Sequence, residues 1–384
     1  MKKLFIAFLL ITNQSYGQNN NITISGNIKG IGNDTVYVWK YLMSDIDNIV
    51  KDTIFAKSDK FIYRTFLAES AAIAIIPNSS FIKRISGRNY MPQGRFIELF
   101  VSPKDNLKIS GKLEPYYIDY SVKGGLLNTE YAIRRNDFKN PEIEVAKIEL
   151  RRDSLSVFPE KKEESNKLFD ERLKKQSEVT TIKLKFIKNN LNNDISAYYL
   201  SRLSLDTFAK YYPMLSENVR LGFFKEVLIN QYETYLKYIA AKKAEKELEK
   251  GSLVPDFQLK NIDGQNYSLS NFKGKFIVLD FWGTWCGPCI AEMPKLKATH
   301  KAFKDKVTFI GIACNDTIEA IKKAIKVHQI DWLQLVNTNE NDVSVLYGVQ
   351  AYPTKIILDE NLKFIKRFVG MDEDFYKLLE DLTK

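Results

Sequence analysis

Over the first third of the chain, apolar residues alternate with polar ones. Thr35-Val36-Tyr37-Val38-Trp39 is a β-branched and aromatic run. Phe96-Ile97-Glu98-Leu99-Phe100-Val101 and Leu107-Lys108-Ile109-Ser110-Gly111 flank a turn at Pro103-Lys104-Asp105-Asn106, and glycines mark further turns at Gly26, Gly30, Gly32 and Gly87. Residues 22–122 therefore predict an all-β domain, a small sandwich or barrel. From 126 to 250 the period lengthens. Glycine nearly vanishes, lysine, glutamate and leucine dominate, and Val179–Ile187 and Val219–Leu248 place apolar residues at helical spacing. Pro141, Pro159 and Pro213 mark breaks between helices, and the charged run Lys242–Lys250 stops at Gly251. This stretch reads as a helical spacer or small bundle.

A third pattern occupies 252–384. Phe257-Gln258-Leu259 and Asn266-Tyr267-Ser268-Leu269 flank Asp263-Gly264, a hairpin signal. Phe276–Phe281 reads as a buried strand, and Pro288–Phe303 as a helix. Val307–Ala313 is apolar nearly throughout, as a parallel strand covered on both faces should be. Thr317–Val327 is an amphipathic helix, Thr354–Leu358 and Phe364–Val369 are closing strands, and Asp372–Leu382 is a last helix. The fold class expected is multidomain: N-terminal all-β, central α-helical, C-terminal α/β.

At 384 residues the chain is long enough for two or three domains. Its net charge of +10 is unevenly spread. Residues 252–384 hold 17 Lys+Arg and 17 Asp+Glu, against 40 and 30 in residues 1–251. Residues 1–17 have the grammar of a secretory signal: basic Lys2 and Lys3, apolar Leu4–Ile11, then small residues in Ser15-Tyr16-Gly17. The apolar run is too short to span a bilayer, which takes about 20 residues. No cysteine stands near the cleavage point, so no lipid anchor is expected there. An exported protein would not meet nucleic acid, so the basic excess reads as a solvated, lysine-rich helical surface.

An oxidising compartment permits structural disulfides. Yet there are only three cysteines, Cys286, Cys289 and Cys314. Cys286-Gly287-Pro288-Cys289 follows the apolar strand directly and opens the helical pattern. A helix N-terminus carries unsatisfied N–H groups and partial positive charge, which stabilises a thiolate. Cys286, before the helix, is the candidate nucleophile, and Cys289, a turn inside, can resolve a mixed disulfide. Gly287 permits the tight turn, and Pro288 is tolerated where its missing N–H costs little. A closed zinc site needs four ligands, and His300 and His328 show no ligand spacing, so no metal is expected. Asp280 interrupts the apolar strand. A carboxyl buried there would have a raised pKa and could take a proton from Cys289. Glu292 lies three residues beyond Cys289, on nearly the same helix face. Cys314 reads as a buried, unpaired thiol.

Asp280-Phe281-Trp282 followed by Trp285-Cys286-Gly287-Pro288-Cys289 resembles a thioredoxin-fold active site. The longer stretch from Val254-Pro255-Asp256-Phe257 to Met293-Pro294 resembles the TlpA/ResA-like extracytoplasmic thiol-disulfide oxidoreductases, relatives of the AhpC/TSA group. The N-terminal region resembles a β-domain that precedes such modules in Bacteroidetes proteins. The resemblance covers about the last third of the chain and implies several things. Asp280 matches the buried aspartate of thioredoxins, and Glu292 a glutamate that tunes the cysteine pair in ResA-like proteins. Pro353 of Tyr352-Pro353-Thr354 matches a cis-proline against which an extended substrate pairs. Trp285 and Tyr352 would shape substrate access. A periplasmic location is implied, with protein disulfides as substrates, a membrane protein as electron donor, and no cofactor beyond the Cys286–Cys289 disulfide. The Gly-Pro dipeptide is that of reducing thioredoxins, at about −270 mV against about −120 mV for a strong oxidant.

Competing functions leave different marks. A peroxiredoxin needs threonine or serine three residues before its cysteine and proline seven before; Gly283 and Leu279 stand there. A disulfide-forming oxidase is disfavoured by Gly-Pro. A non-enzymatic envelope-binding protein would keep its function after Cys286→Ser.

Overall fold

The computed structural model describes residues 20–384. The expected signal segment, 1–17, lies outside the described residues. Among the described residues no helix is long and apolar enough to cross a membrane. The chain divides into two compact units, Met1–Tyr232 and Glu233–Lys384.

Strand alternation in the first unit builds two four-stranded sheets. One has the order Ile118–Lys123, Asn106–Leu113, Ile22–Lys29, Lys60–Thr65, with the middle pair parallel. The other has the order Asp45–Phe55, Thr35–Leu42, Ala71–Pro77, Ile97–Val101, all antiparallel. Ile24, Phe61 and Ile109 from the first and Val38, Ile73 and Leu99 from the second share one core, so the sheets face each other.

The helices that follow are not a free spacer. Phe100 and Ala72, which point out of the second sheet, share a separate core with Tyr131, Tyr198, Phe208 and Phe224 from the helical stretch. Phe100 alone meets Tyr131, Tyr198 and Phe224 edge-on, with ring centroids 4.9–5.1 Å apart. The strand Ile97–Val101 is buried at every residue, so both of its faces are covered.

The change of composition at 250–252 does not coincide with the division of the units. That falls inside the helix Lys225–Glu247. The end of this helix packs within the second unit: Glu245 pairs with Arg367 at 3.1 Å, and Lys237 donates to Asn339. Gly348 lies so close to the backbone of Glu245 that an added Cβ would sit 2.5 Å from its nitrogen.

The second unit is a seven-stranded mixed sheet. Its order is Asn266–Ser268, Gln258–Asn261, Leu333–Val336, Val307–Ala313, Phe276–Trp282, Thr354–Leu358, Phe364–Val369. The central strand Phe276–Trp282 runs parallel to Val307–Ala313 and antiparallel to Thr354–Leu358. Its alternation divides two cores. Ile277, Leu279 and Phe281 face one, while Val278 and Trp282 join Cys286, Cys289, Met293 and Leu296 in the other. Strand Leu333–Val336 was not anticipated, because four residues after a helix show too little periodicity to register.

Candidate active site

Strand, turn and helix meet at the cysteines. Phe276–Trp282 ends buried, Gly283–Trp285 turns, and Cys286 caps the helix Gly287–Phe303. The backbone N–H of Cys289 donates to the sulfur of Cys286 at 3.2 Å, so one orphan donor of the helix start points at the candidate nucleophile. Cys286 and Cys289 are joined as a disulfide, their Cα atoms 5.3 Å apart. Both are buried among apolar side chains.

The turn before the cysteines is tied down. The backbone N–H and the hydroxyl of Thr284 both donate to the carboxylate of Asp316, at 2.6 Å each. Trp285 is 53% exposed, but its indole N–H donates to the carbonyl of Cys314 at 3.0 Å. That bond needs glycine at 283: a Cβ there would lie 2.5 Å from the indole nitrogen. Tyr352 meets Trp285 edge-on at 5.2 Å, and the Tyr352–Pro353 bond is cis. Gly370 N–H donates to the Pro353 carbonyl at 2.8 Å, which leaves Val369 and Met371 exposed beside the cis bond.

Beneath the dithiol lies a charged cluster. Asp280 and Lys355 are cross-strand partners, so their side chains share one sheet face. That face also receives Glu292 from the helix. Lys355 donates to Glu292 Oε2 at 2.5 Å, and the Tyr376 hydroxyl donates to Oε1 at 2.7 Å. All three of Asp280, Glu292 and Lys355 are buried. One cation therefore serves two carboxyl groups, and it is engaged by Glu292. Asp280 has no ion-pair partner within 4.0 Å among the described residues. Burial pushes its carboxyl up to about 6, with Lys355 opposing and Glu292 adding to the rise.

The structure thus gathers Cys286, Cys289 and Tyr352 in one cluster, sets Trp285 against Tyr352 next to the cis Pro353, and brings Asp280 and Glu292 together about Lys355, with Glu292 buried. Sequence reasoning missed Lys355 and Asp316. Lys355 did leave a signal, a lone charge inside Thr354-Lys355-Ile356-Ile357-Leu358; Asp316 left none. Cys314 is fully buried, and burial raises its thiol to about 12, well away from thiolate chemistry at neutral pH. His300 is not a plain surface residue: its Nδ1 lies 3.0 Å from Asp331 and its ring packs on Phe309 and Trp332.

A mixed sheet with helices packed on it, a Cys-x-x-C at a helix start and a cis-proline at the start of a sheet strand define a thioredoxin-fold dithiol protein. Residues 251–367 match the AhpC/TSA family. Thiol-disulfide oxidoreductase ResA of Bacillus thuringiensis subsp. konkukian is 31% identical over 141 residues, 36% of this chain and 80% of that protein. The thioredoxin-like protein YneN of Bacillus subtilis is 31% identical over 134 residues, 34% of this chain and 74% of that protein. Among solved structures, the thioredoxin domain of a thiol-disulfide oxidoreductase from Bacteroides vulgatus is 31% identical. It covers 36% of this chain and 99% of that one, with a TM-score of 0.34. The chain belongs to the TlpA/ResA-like family of thioredoxin-fold proteins and is a thiol-disulfide oxidoreductase.

Proposed function

We propose that this protein reduces protein disulfides outside the cytoplasm through the Cys286–Cys289 dithiol. The observation that carries the reading is Cys286 at a helix N-terminus, bonded to Cys289 and flanked by exposed Trp285 and the cis Tyr352–Pro353 bond. In the reduced protein the Cys286 thiolate attacks a client disulfide. One client sulfur bonds to Cys286 Sγ, and the other leaves as a thiolate and takes up a proton. Cys289 Sγ then attacks Cys286 Sγ, forming the Cys286–Cys289 disulfide and releasing the second client thiol. Two electrons pass to the client.

Asp280 takes the proton of Cys289 during that second attack. A carboxyl near 6 is well placed to accept a thiol proton around neutral pH. Lys355 and Tyr376 hold Glu292 in position beside it. Trp285, Tyr352 and the backbone at Pro353 receive the client as an extended strand. A membrane dithiol protein returns the electrons. Residues 1–17 read as an export signal, and that supports a periplasmic location.

The reading is tested by the reduction potential of the pair in Cys314→Ala protein, equilibrated in thiol redox buffers. A value near thioredoxin's, about −270 mV, is expected. A value near about −120 mV would make the protein an oxidant and sink the reductase reading. In parallel, Cys289→Ala should trap clients as mixed disulfides on Cys286, and Cys286→Ser should trap none.

A further inference from the structure

The first compact unit contains a cavity of about 610 Å³, lined by residues of that unit alone. It opens between strand Ile97–Val101 and the helices Lys139–Leu155, Lys162–Asn189 and Asp194–Leu200. That volume is in the range of small-molecule sites, roughly 300–1,000 Å³. Nothing in the dithiol chemistry uses it.

Charged side chains line the cavity in two conditions. Some are complete. Glu98 Oε2 accepts hydrogen bonds from the Tyr131 and Tyr198 hydroxyls at 2.9 and 2.5 Å, and Arg202 stands 3.7 Å from Oε1. Glu149 has Arg172 at 3.0 Å and Arg84 at 4.0 Å. Glu142 and Lys183 are incomplete. Among the described residues neither has an oppositely charged atom within 4.0 Å. The Lys183 ammonium stands over two rings, 4.5 Å from the centroid of Phe138 and 5.5 Å from that of Tyr199. Burial raises the Glu142 carboxyl and lowers the Lys183 ammonium, each partly offset by the other's charge. Two half-buried, opposite charges thus share one cavity without touching, and desolvated charges are costly without partners.

We propose that this cavity binds a small zwitterion, an amino acid or short peptide, with its carboxylate toward Lys183 and its ammonium toward Glu142. A dipolar ligand supplies both missing partners at once. A single charge would satisfy one group and oppose the other. The aromatic walls at Phe138, Tyr131 and Tyr198 suit an apolar side chain on the ligand. This site does not depend on the reductase reading.

Isothermal titration of the full chain with phenylalanine and glycyl-phenylalanine tests it. The comparators are N-acetyl-phenylalaninamide, 3-phenylpropionate and phenethylamine, which carry no charge, one negative charge and one positive charge. Saturable binding of at least one zwitterion is expected, at least tenfold tighter than any comparator. Lys183→Met and Glu142→Gln should each weaken it tenfold or more without changing dithiol turnover. Lys183→Gln replaces Lys183→Met should the latter not fold. The proposal is overturned if neither zwitterion binds, if a comparator binds as tightly, or if both variants bind as the parent does. Those last results would mean a cavity filled by water, or a site that reads shape rather than charge.

Discussion

At Asp280 the proposed proton path and the stability of the fold depend on the same buried carboxyl. Its carboxyl ordinarily titrates at 3.8 and is raised to about 6 by burial. The folded state therefore holds the proton more tightly than the unfolded state. Between about pH 4 and pH 6 stability falls as pH rises, and above about pH 6 the full penalty persists. The difference corresponds to roughly 3 kcal/mol. Asp280→Asn should raise the melting temperature at pH 7 and flatten its dependence between pH 4 and 6, as thermal melts across that range would record. The same variant should slow resolution of the mixed disulfide by at least about 100-fold. Unchanged resolution by stopped-flow would remove Asp280 from the proton path. Lys355 makes the opposite prediction. Lys355→Met leaves two buried carboxyl groups without a cation, so it should cost roughly 3–5 kcal/mol in denaturant melts. Adding Glu292→Gln should restore part of that. Asp280 was legible in the sequence because one charge broke an apolar strand. Lys355 broke its own strand in the same way, but only the register Asp280↔Lys355 shows that the two anomalies face each other.

Among the elements, the helix Gly287–Phe303 matters most. Its first turn aims the Cys289 N–H and the positive end of its dipole at Cys286. In the reduced protein the helix end should make the Cys286 thiol titrate below the roughly 8.5 of an ordinary cysteine. Thiolate absorbance against pH measures this, and a midpoint at or above 8.5 would show that the helix end does not act on the sulfur. The turn before it depends on Gly283. Gly283→Ala must displace the Trp285 indole from the Cys314 carbonyl, and a cost of about 1–3 kcal/mol is expected. Trp285 fluorescence should change with it. This helix and the strand before it could be read from periodicity and from the glycine and proline between the cysteines. The tie from Thr284 to Asp316 could not, since the two stand 32 positions apart and no pattern pairs them.

At the scale of the whole molecule, the second unit starts earlier than composition suggests. A fragment from Glu233 should melt higher than one from Ser252. The shorter fragment loses Glu245 and leaves the largely buried Arg367 without its carboxylate, a loss on the order of 2 kcal/mol. Equal melting temperatures would show that the end of the helix Lys225–Glu247 adds nothing to the second unit. By itself the sequence determined the order of the all-β, helical and α/β regions, because each has its own hydrophobic period. It also determined the dithiol, because both cysteines, the turn and the helix start are local. Tertiary structure alone decided that the helices cover the outer face of a sheet, that Lys355 and Tyr376 clamp Glu292, and that Glu142 and Lys183 share a cavity. Those are contacts between residues far apart in the chain. Side-chain type says that a buried charge needs a partner, but only the folded backbone says which one it gets.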